Sequence, residues 1–199
     1  MSLFSSEDLV AAKSSPGTLE PSGFKQASAG GRVLGKTMEQ LKGCIGELEP
    51  DQALQYATAG RWSMHQLLTY ILDRTGPAAV WLTTWTITEE PLRAILQELR
   101  SGRIQELHAV LDYRIERRKP EAFQLASQII TRIKLTKCHA KVLVIQNEQW
   151  SVTVLGSANF SKNPRIEAGT IFTDQGSADF HKSWINDVIE GKEVWSAKR

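Results

Sequence analysis

Residues 137–160 read KCHAKVLVIQNEQWSVTVLGSANF, and the folding of this stretch organises the rest of the chain. Two apolar, β-branched runs, Val142 to Ile145 and Val152 to Leu155, flank the turn-like string Gln146-Asn147-Glu148-Gln149. That pattern predicts an antiparallel hairpin over 138–159. A strand sends residues i and i+2 to one face, so His139 and Lys141 are expected to emerge together, as are Ser157 and Asn159. A three-residue loop, Asn147 to Gln149, would set His139 directly opposite Ser157. Four side chains able to hold or attack a phosphate would then share one patch of sheet.

Around this hairpin the pattern alternates. AAVWLTTW (78–85), IQELHAVLDY (104–113) and IEAGTIFTD (166–174) read as strands. EEPLRAILQELRSG (89–102), PEAFQLASQIITRI (120–133) and ADFHKSWINDVIEGKEVW (178–195) read as helices, the first with Pro91 in its opening turn and Gly102 past its end. Upstream, TMEQLKGCIGELE from Thr37 and WSMHQLLTYILDRT are helical, the latter ended by Gly76-Pro77. Strands separated by helices predict an α/β fold, a mixed β-sheet with helices on both faces. The Ser-, Gly-, Ala- and Pro-rich residues 1–36 are expected to be a flexible arm, and 37–199 the folded domain. No internal repeat is visible.

The 199 residues are 41% hydrophobic and 23% charged, the balance of a globular protein. No apolar run reaches the ~18 residues of a membrane span, and MSLFSSEDLVAAKSSPG lacks the regions of a signal peptide. A cytoplasmic protein without stable membrane insertion is the expectation. Cys44 and Cys138 have no CxxC spacing and are expected to be reduced thiols. Net charge is only +2, yet residues 114–141 hold eight basic residues against two acidic ones. Such a local excess favours a polyanionic substrate, although several of these cations would serve equally to solvate a helix face.

The residue types at 139, 141, 157 and 159 suit phosphodiester chemistry. A histidine can attack phosphorus to form a covalent intermediate, or move a proton near neutral pH. Lys141 offers a point charge to non-bridging oxygens, and Ser157 and Asn159 offer neutral donors as charge builds. His65, His108, His139 and His181 share no ligand spacing, so no metal and no cofactor is expected. His65 and His108 read as packing or surface residues and His181 as exposed. Cys138 should face away from His139. Trp81 and Trp85 could stack bases but read more simply as strand-end core or rim.

His139-x-Lys141 followed by Gly156-Ser157-x-Asn159 resembles the signature of the phospholipase D superfamily, and the strand and helix order from roughly Leu67 to Val188 is similar to that fold. The resemblance implies His139 as nucleophile or general acid, Lys141 and Asn159 as phosphate ligands and Ser157 as their assistant. It implies Glu167 as the carboxylate that bonds a catalytic histidine. Lys137, Lys162, Arg165, Arg117 and Arg118 are the cations expected to contact substrate. Gln146 stands where the family usually has an acidic residue. The family reaction uses two such motifs, and one is present, so a homodimer that completes the site is expected. Single-motif members are small nucleases, which implies a metal-independent endonuclease acting on DNA or RNA. The alternatives are a catalytically degenerate nucleic-acid-binding protein on the same fold and a lipid or headgroup phosphodiesterase.

Overall fold

The structure is a computed structural model that describes residues 22–25, 32–34, 37–162 and 165–192. Among these residues nine strands form one sheet: β1 (Ser22–Lys25), β2 (Arg32–Leu34), β3 (Ala53–Ala57), β4 (Ala78–Thr84), β5 (Ile104–Asp112), β6 (Arg132–Thr136), β7 (Val142–Gln146), β8 (Ser151–Gly156) and β9 (Ala168–Phe172). The helices are α1 (Thr37–Ile45), α2 (Met64–Thr75), α3 (Glu89–Arg100), α4 (Ile115–Arg118), α5 (Pro120–Ile129) and α6 (Gln175–Glu190). Across the sheet the order is β2-β1-β3-β9-β8-β7-β4-β5-β6. The β4–β5 and β5–β6 pairs are parallel, each linked through helices, and the remaining pairs are antiparallel. The expected mixed α/β sheet is therefore the fold.

Side chains alternate between two cores, as the strand period of two requires. Leu107, Ala109 and Leu111 of β5, with Leu143 and Ile145 of β7, join the larger core beneath α1, α2, α3 and α5. Val110, Val142 and Val144 point the other way and pack with Ala178 and Ile185 of α6. The local chemistry agrees at the helix ends. Gln66 Oε1 accepts the Ser63 N–H at 2.9 Å to cap α2, and Asp174 Oδ1 accepts the Ser177 N–H at 2.7 Å to cap α6. Among the described residues no helix is long and apolar enough to cross a membrane.

Several elements differ from expectation. The helix expected over 120–133 stops at Ile129, and Arg132–Thr136 is an edge strand parallel to β5. Ile129, Ile130 and Ile133 satisfy a helical period, but R-I-K-L-T also alternates, and an open edge beside β5 decides for the strand. The helix from Thr37 ends at Ile45, and Ala53–Ala57 is a further strand, burying Leu54 and Tyr56 while Gln55 is exposed. Within the expected arm, Ser22–Lys25 and Arg32–Leu34 are strands that extend the sheet from β3. Residues 1–21, 26–31 and 35–36 of that arm, and the end of the helix expected to 195, lie outside the described residues.

The hairpin forms with a different register. Its loop has four residues, because Gln146 pairs with Ser151 and Val142 with Leu155. Asn147 sets that length: its Oδ1 accepts the N–H groups of Gln149 and Trp150 at 2.9 and 2.8 Å. Its Nδ2 donates to the carbonyls of Thr75 and Pro77 at 2.8 and 3.1 Å. His139 is consequently not opposite Ser157. β7 begins at Val142 and β8 ends at Gly156, so His139, Lys141, Ser157 and Asn159 all lie just outside the regular strands.

Candidate active site

The carboxyl ends of β4, β5 and β6 meet the start of β7, the end of β8 and the start of β9 along one edge of the sheet. In open α/β sheets this edge is where ligands bind. The chain leaves β6 at Thr136 and must cross the ends of β5 and β4 to enter β7 beside β4. That crossing is residues 137–141, and it is pinned twice. The Cys138 N–H donates to Asp112 Oδ2 at 3.3 Å and the Val142 N–H to Thr83 Oγ1 at 3.1 Å. Asp112 and Thr83 are both buried, so the anchors are part of the core. Cys138 packs inward, whereas His139 is exposed.

Lys141 is half-buried and turns back on the loop. Its Nζ donates to the His139 carbonyl at 2.7 Å and lies 3.3 Å from His139 Nδ1. Burial lowers the Lys141 pKa, with the charges of Cys138 and Glu167 opposing that shift.

The second string is held from both sides. Asn159 Oδ1 accepts the Thr84 hydroxyl at 3.1 Å and the Trp85 N–H at 3.2 Å, which fixes the amide's oxygen against the end of β4 and leaves its NH₂ as the available donor. Phe160 is buried, and its N–H donates to Thr84 Oγ1 at 3.3 Å. Gly156 faces Gly169 across β8 and β9, and Tyr56 of β3 covers the pair: a Cβ at Gly156 would lie 3.1 Å from Tyr56 Oη. The glycine of this string thus has a packing reason of its own.

Ser157 is exposed and donates to Glu167 Oε2, while its hydroxyl oxygen accepts the Ala168 N–H at 3.1 Å. The Glu167 backbone is clamped to buried Thr58, donating to Thr58 Oγ1 at 3.1 Å and accepting the Thr58 N–H at 2.7 Å. Glu167 therefore joins the site through Ser157 and through its field on Lys141, rather than through a described bond to His139. Two of the expected substrate cations, Arg117 and Arg118, are exposed on α4, and Lys137 opens the crossing loop. Lys162 is exposed too but is ion-paired to Glu90 of α3 at 3.7 Å, and Arg165 is exposed ahead of β9.

Gln146 lies at the far end of β7, more than ~13 Å from Lys141 at ~3.3 Å per strand residue. There its Oε1 accepts from Lys182 of α6 at 2.5 Å and its Nε2 donates to Ser151 Oγ at 3.1 Å. It has no place at the site. His65 and His108 are buried, the latter stacked on Trp81 at 5.1 Å between centroids. His181 differs from expectation, being half-buried and accepting the Trp184 indole N–H at 3.0 Å. Cys44 and Cys138 are both buried thiols. Among the described residues no group of three or more His, Cys, Asp or Glu side chains could hold a metal ion.

No protein-family model matches the chain, and no curated protein matches it. Solved structures do. Polyphosphate kinase from Porphyromonas gingivalis aligns over 74% of this chain and 27% of its own, with 13% identity and a TM-score of 0.51. The archaeal chromatin protein TrmBL2, which binds DNA, aligns over 74% of this chain and 55% of its own, with 11% identity and a TM-score of 0.50. Nuc from Salmonella typhimurium, a phospholipase D family member, aligns over 61% of this chain and 83% of its own, with 18% identity and a TM-score of 0.49.

Proposed function

We propose that this chain, which has the fold of the phospholipase D superfamily, is a metal-independent phosphodiesterase that cleaves nucleic acid through a phosphohistidine intermediate in a homodimeric site. The observation that carries the reading is the pairing of an exposed His139 with the Lys141 ammonium, 3.3 Å from its Nδ1, at the sheet edge where Asn159 presents a fixed amide.

In this reaction His139 Nε2 attacks phosphorus and the ester oxygen leaves. Lys141 and the Asn159 NH₂ hold the non-bridging oxygens as their charge grows. The leaving oxygen takes its proton from His139 of a second copy, because one chain supplies a single such histidine. That second imidazole then removes a proton from water, which attacks the phosphohistidine and releases His139. Glu167 favours the Lys141 ammonium and orients Ser157. The exposed cations Arg117, Arg118 and Lys137 support a polyanionic substrate rather than a lone headgroup, and binding should weaken with salt.

The test is cleavage of labelled single- and double-stranded DNA and RNA by wild type and His139→Ala, with and without EDTA. A phosphatidyl ester serves as a parallel substrate, and sedimentation gives the chain count. Cleavage that survives EDTA, is lost in His139→Ala and comes from a dimer is expected. Activity in His139→Ala overturns the nucleophile, and an active strict monomer overturns the shared site. Binding without cleavage by wild type identifies a nucleic-acid-binding protein instead, and turnover of the phosphatidyl ester alone identifies a lipid phosphodiesterase.

A further inference from the structure

Beside His139, toward β5 and α4, lies a group of side chains of which the phosphate chemistry above uses only the charge of Arg118. Trp85 follows directly on β4, is half-buried, and holds its ring centroid 6.0 Å from that of His139. The Arg118 guanidinium carbon stands 5.1 Å from the Trp85 ring centroid and that of Arg114 stands 5.5 Å from it. Arg114 also lies 5.7 Å from the ring of Tyr113, an aromatic side chain left 49% exposed at the end of β5. Arg114 cannot swing away, because its Nε and Nη2 donate to the buried Asp112 carboxylate at 2.6 and 3.0 Å. Arg118 is exposed and has no carboxylate partner among the described contacts.

Core packing does not require two aromatic rings and two guanidinium planes at a solvent-facing edge. Planar guanidinium and aromatic groups share one property that lysines and aliphatic side chains lack: each offers a face on which a nucleobase can stack. The platform is next to the attacking imidazole, so it falls within one nucleotide of the phosphate that His139 would attack. In a duplex, base faces are covered by their neighbours, and only an unpaired or extruded base can use such a surface.

We propose that Trp85, Tyr113, Arg114 and Arg118 form a base-stacking subsite that selects single-stranded or locally unpaired nucleic acid. The proposal rests on the nucleic-acid reading of the site and names the form of substrate that the site takes. Trp85 carries most of the discrimination, Arg114 is held rigid by Asp112, and Arg118 closes over the base from α4.

Binding is measured in a His139→Ala background so that no strand is cut. The probes are a short labelled single-stranded DNA, the same strand with abasic tetrahydrofuran residues in place of its nucleosides, and its duplex. Trp85→Ala should weaken the base-bearing strand roughly five- to a hundred-fold, the range for one stacked base, while the abasic strand and the duplex change by about twofold or less. Trp85→Phe should retain most of the affinity. Arg118→Lys, an exposed change that keeps charge but loses the plane, should weaken only the base-bearing strand, with an unchanged salt slope. Equal losses on base-bearing and abasic strands, or no loss in either variant, overturn the stacking subsite. If the protein with His139 intact neither binds nor cleaves any of the three, the nucleic-acid reading falls and the subsite with it. Cleavage by the protein with His139 intact, combined with equal effects on the two single strands, leaves that reading standing and overturns the subsite alone.

Discussion

Thr84→Val is the most informative single substitution near the site, because valine matches the shape of threonine and suits a strand. The Thr84 side chain is fully buried. Its hydroxyl oxygen accepts the N–H of buried Phe160 at 3.3 Å, and its single proton serves either the Thr86 carbonyl at 2.8 Å or Asn159 Oδ1 at 3.1 Å. Valine opens no cavity but removes one net hydrogen bond, worth ~1 kcal/mol, and strands the Phe160 N–H at ~1–3 kcal/mol, for a total of about 2–4 kcal/mol. Asn159 keeps only the Trp85 N–H as a tether, so its amide loses the direction that the proposed phosphate contact needs, and turnover should fall about tenfold. Thr84→Ser keeps the hydroxyl, loses a methyl worth ~1 kcal/mol and should retain near-normal turnover. Urea denaturation at constant slope reads the first quantity and oligonucleotide cleavage the second. A Thr84→Val protein with the wild-type midpoint, or a Thr84→Ser protein as damaged as the valine variant, refutes this account of how the string is held.

A pH profile and two further substitutions probe other parts of the protein. Burial lowers the Lys141 pKa, so its ammonium is lost at a lower pH than in free lysine. The alkaline limb of kcat/KM should then fall below the ordinary value of ~10.4, and a profile flat through that pH would contradict it. Gly169→Ala puts a Cβ against the Leu155 carbonyl, 2.5 Å from Tyr56 Oη and 2.7 Å from Tyr56 Cζ. Neither neighbour has room to retreat, so thermal or chemical denaturation should show a loss of about 2 kcal/mol or more. Gln146→Ala removes the contacts to Lys182 and Ser151 at the far end of β7, which should cost about 1 kcal/mol or less. Turnover should remain within about twofold of wild type, and a large loss of activity at unchanged stability would mean that this end of the strand communicates with the site.

The H-x-K and G-S-x-N strings were legible because the identities of neighbouring residues carry their chemistry, and the alternation of strands and helices was legible because burial imposes a period. Register was another matter. Three- and four-residue loops both fit Gln146-Asn147-Glu148-Gln149, and the choice falls to Asn147, whose amide reaches the carbonyls of Thr75 and Pro77 some seventy residues earlier. Edge strand β6 was hidden because R-I-K-L-T satisfies two periods, and only the vacant side of β5 separates them. β3 carried a visible alternation of Leu54 and Tyr56, with the turn residues Pro50-Asp51 before it and Gly60 after it, and that signal could have found it.

By itself the sequence determined which side chains could do phosphate chemistry and that a mixed sheet would carry them, since residue type and period are local properties. Tertiary structure alone decided their partners. Glu167 meets Ser157 because β9 docks between β8 and β3, and Asn159 is aimed by Thr84 because the chain returns to the end of β4. Trp85 stands beside His139 because the loop from β6 must cross two strands to reach β7. Each of these contacts joins residues distant in the chain, and no local rule of period or propensity reports on them.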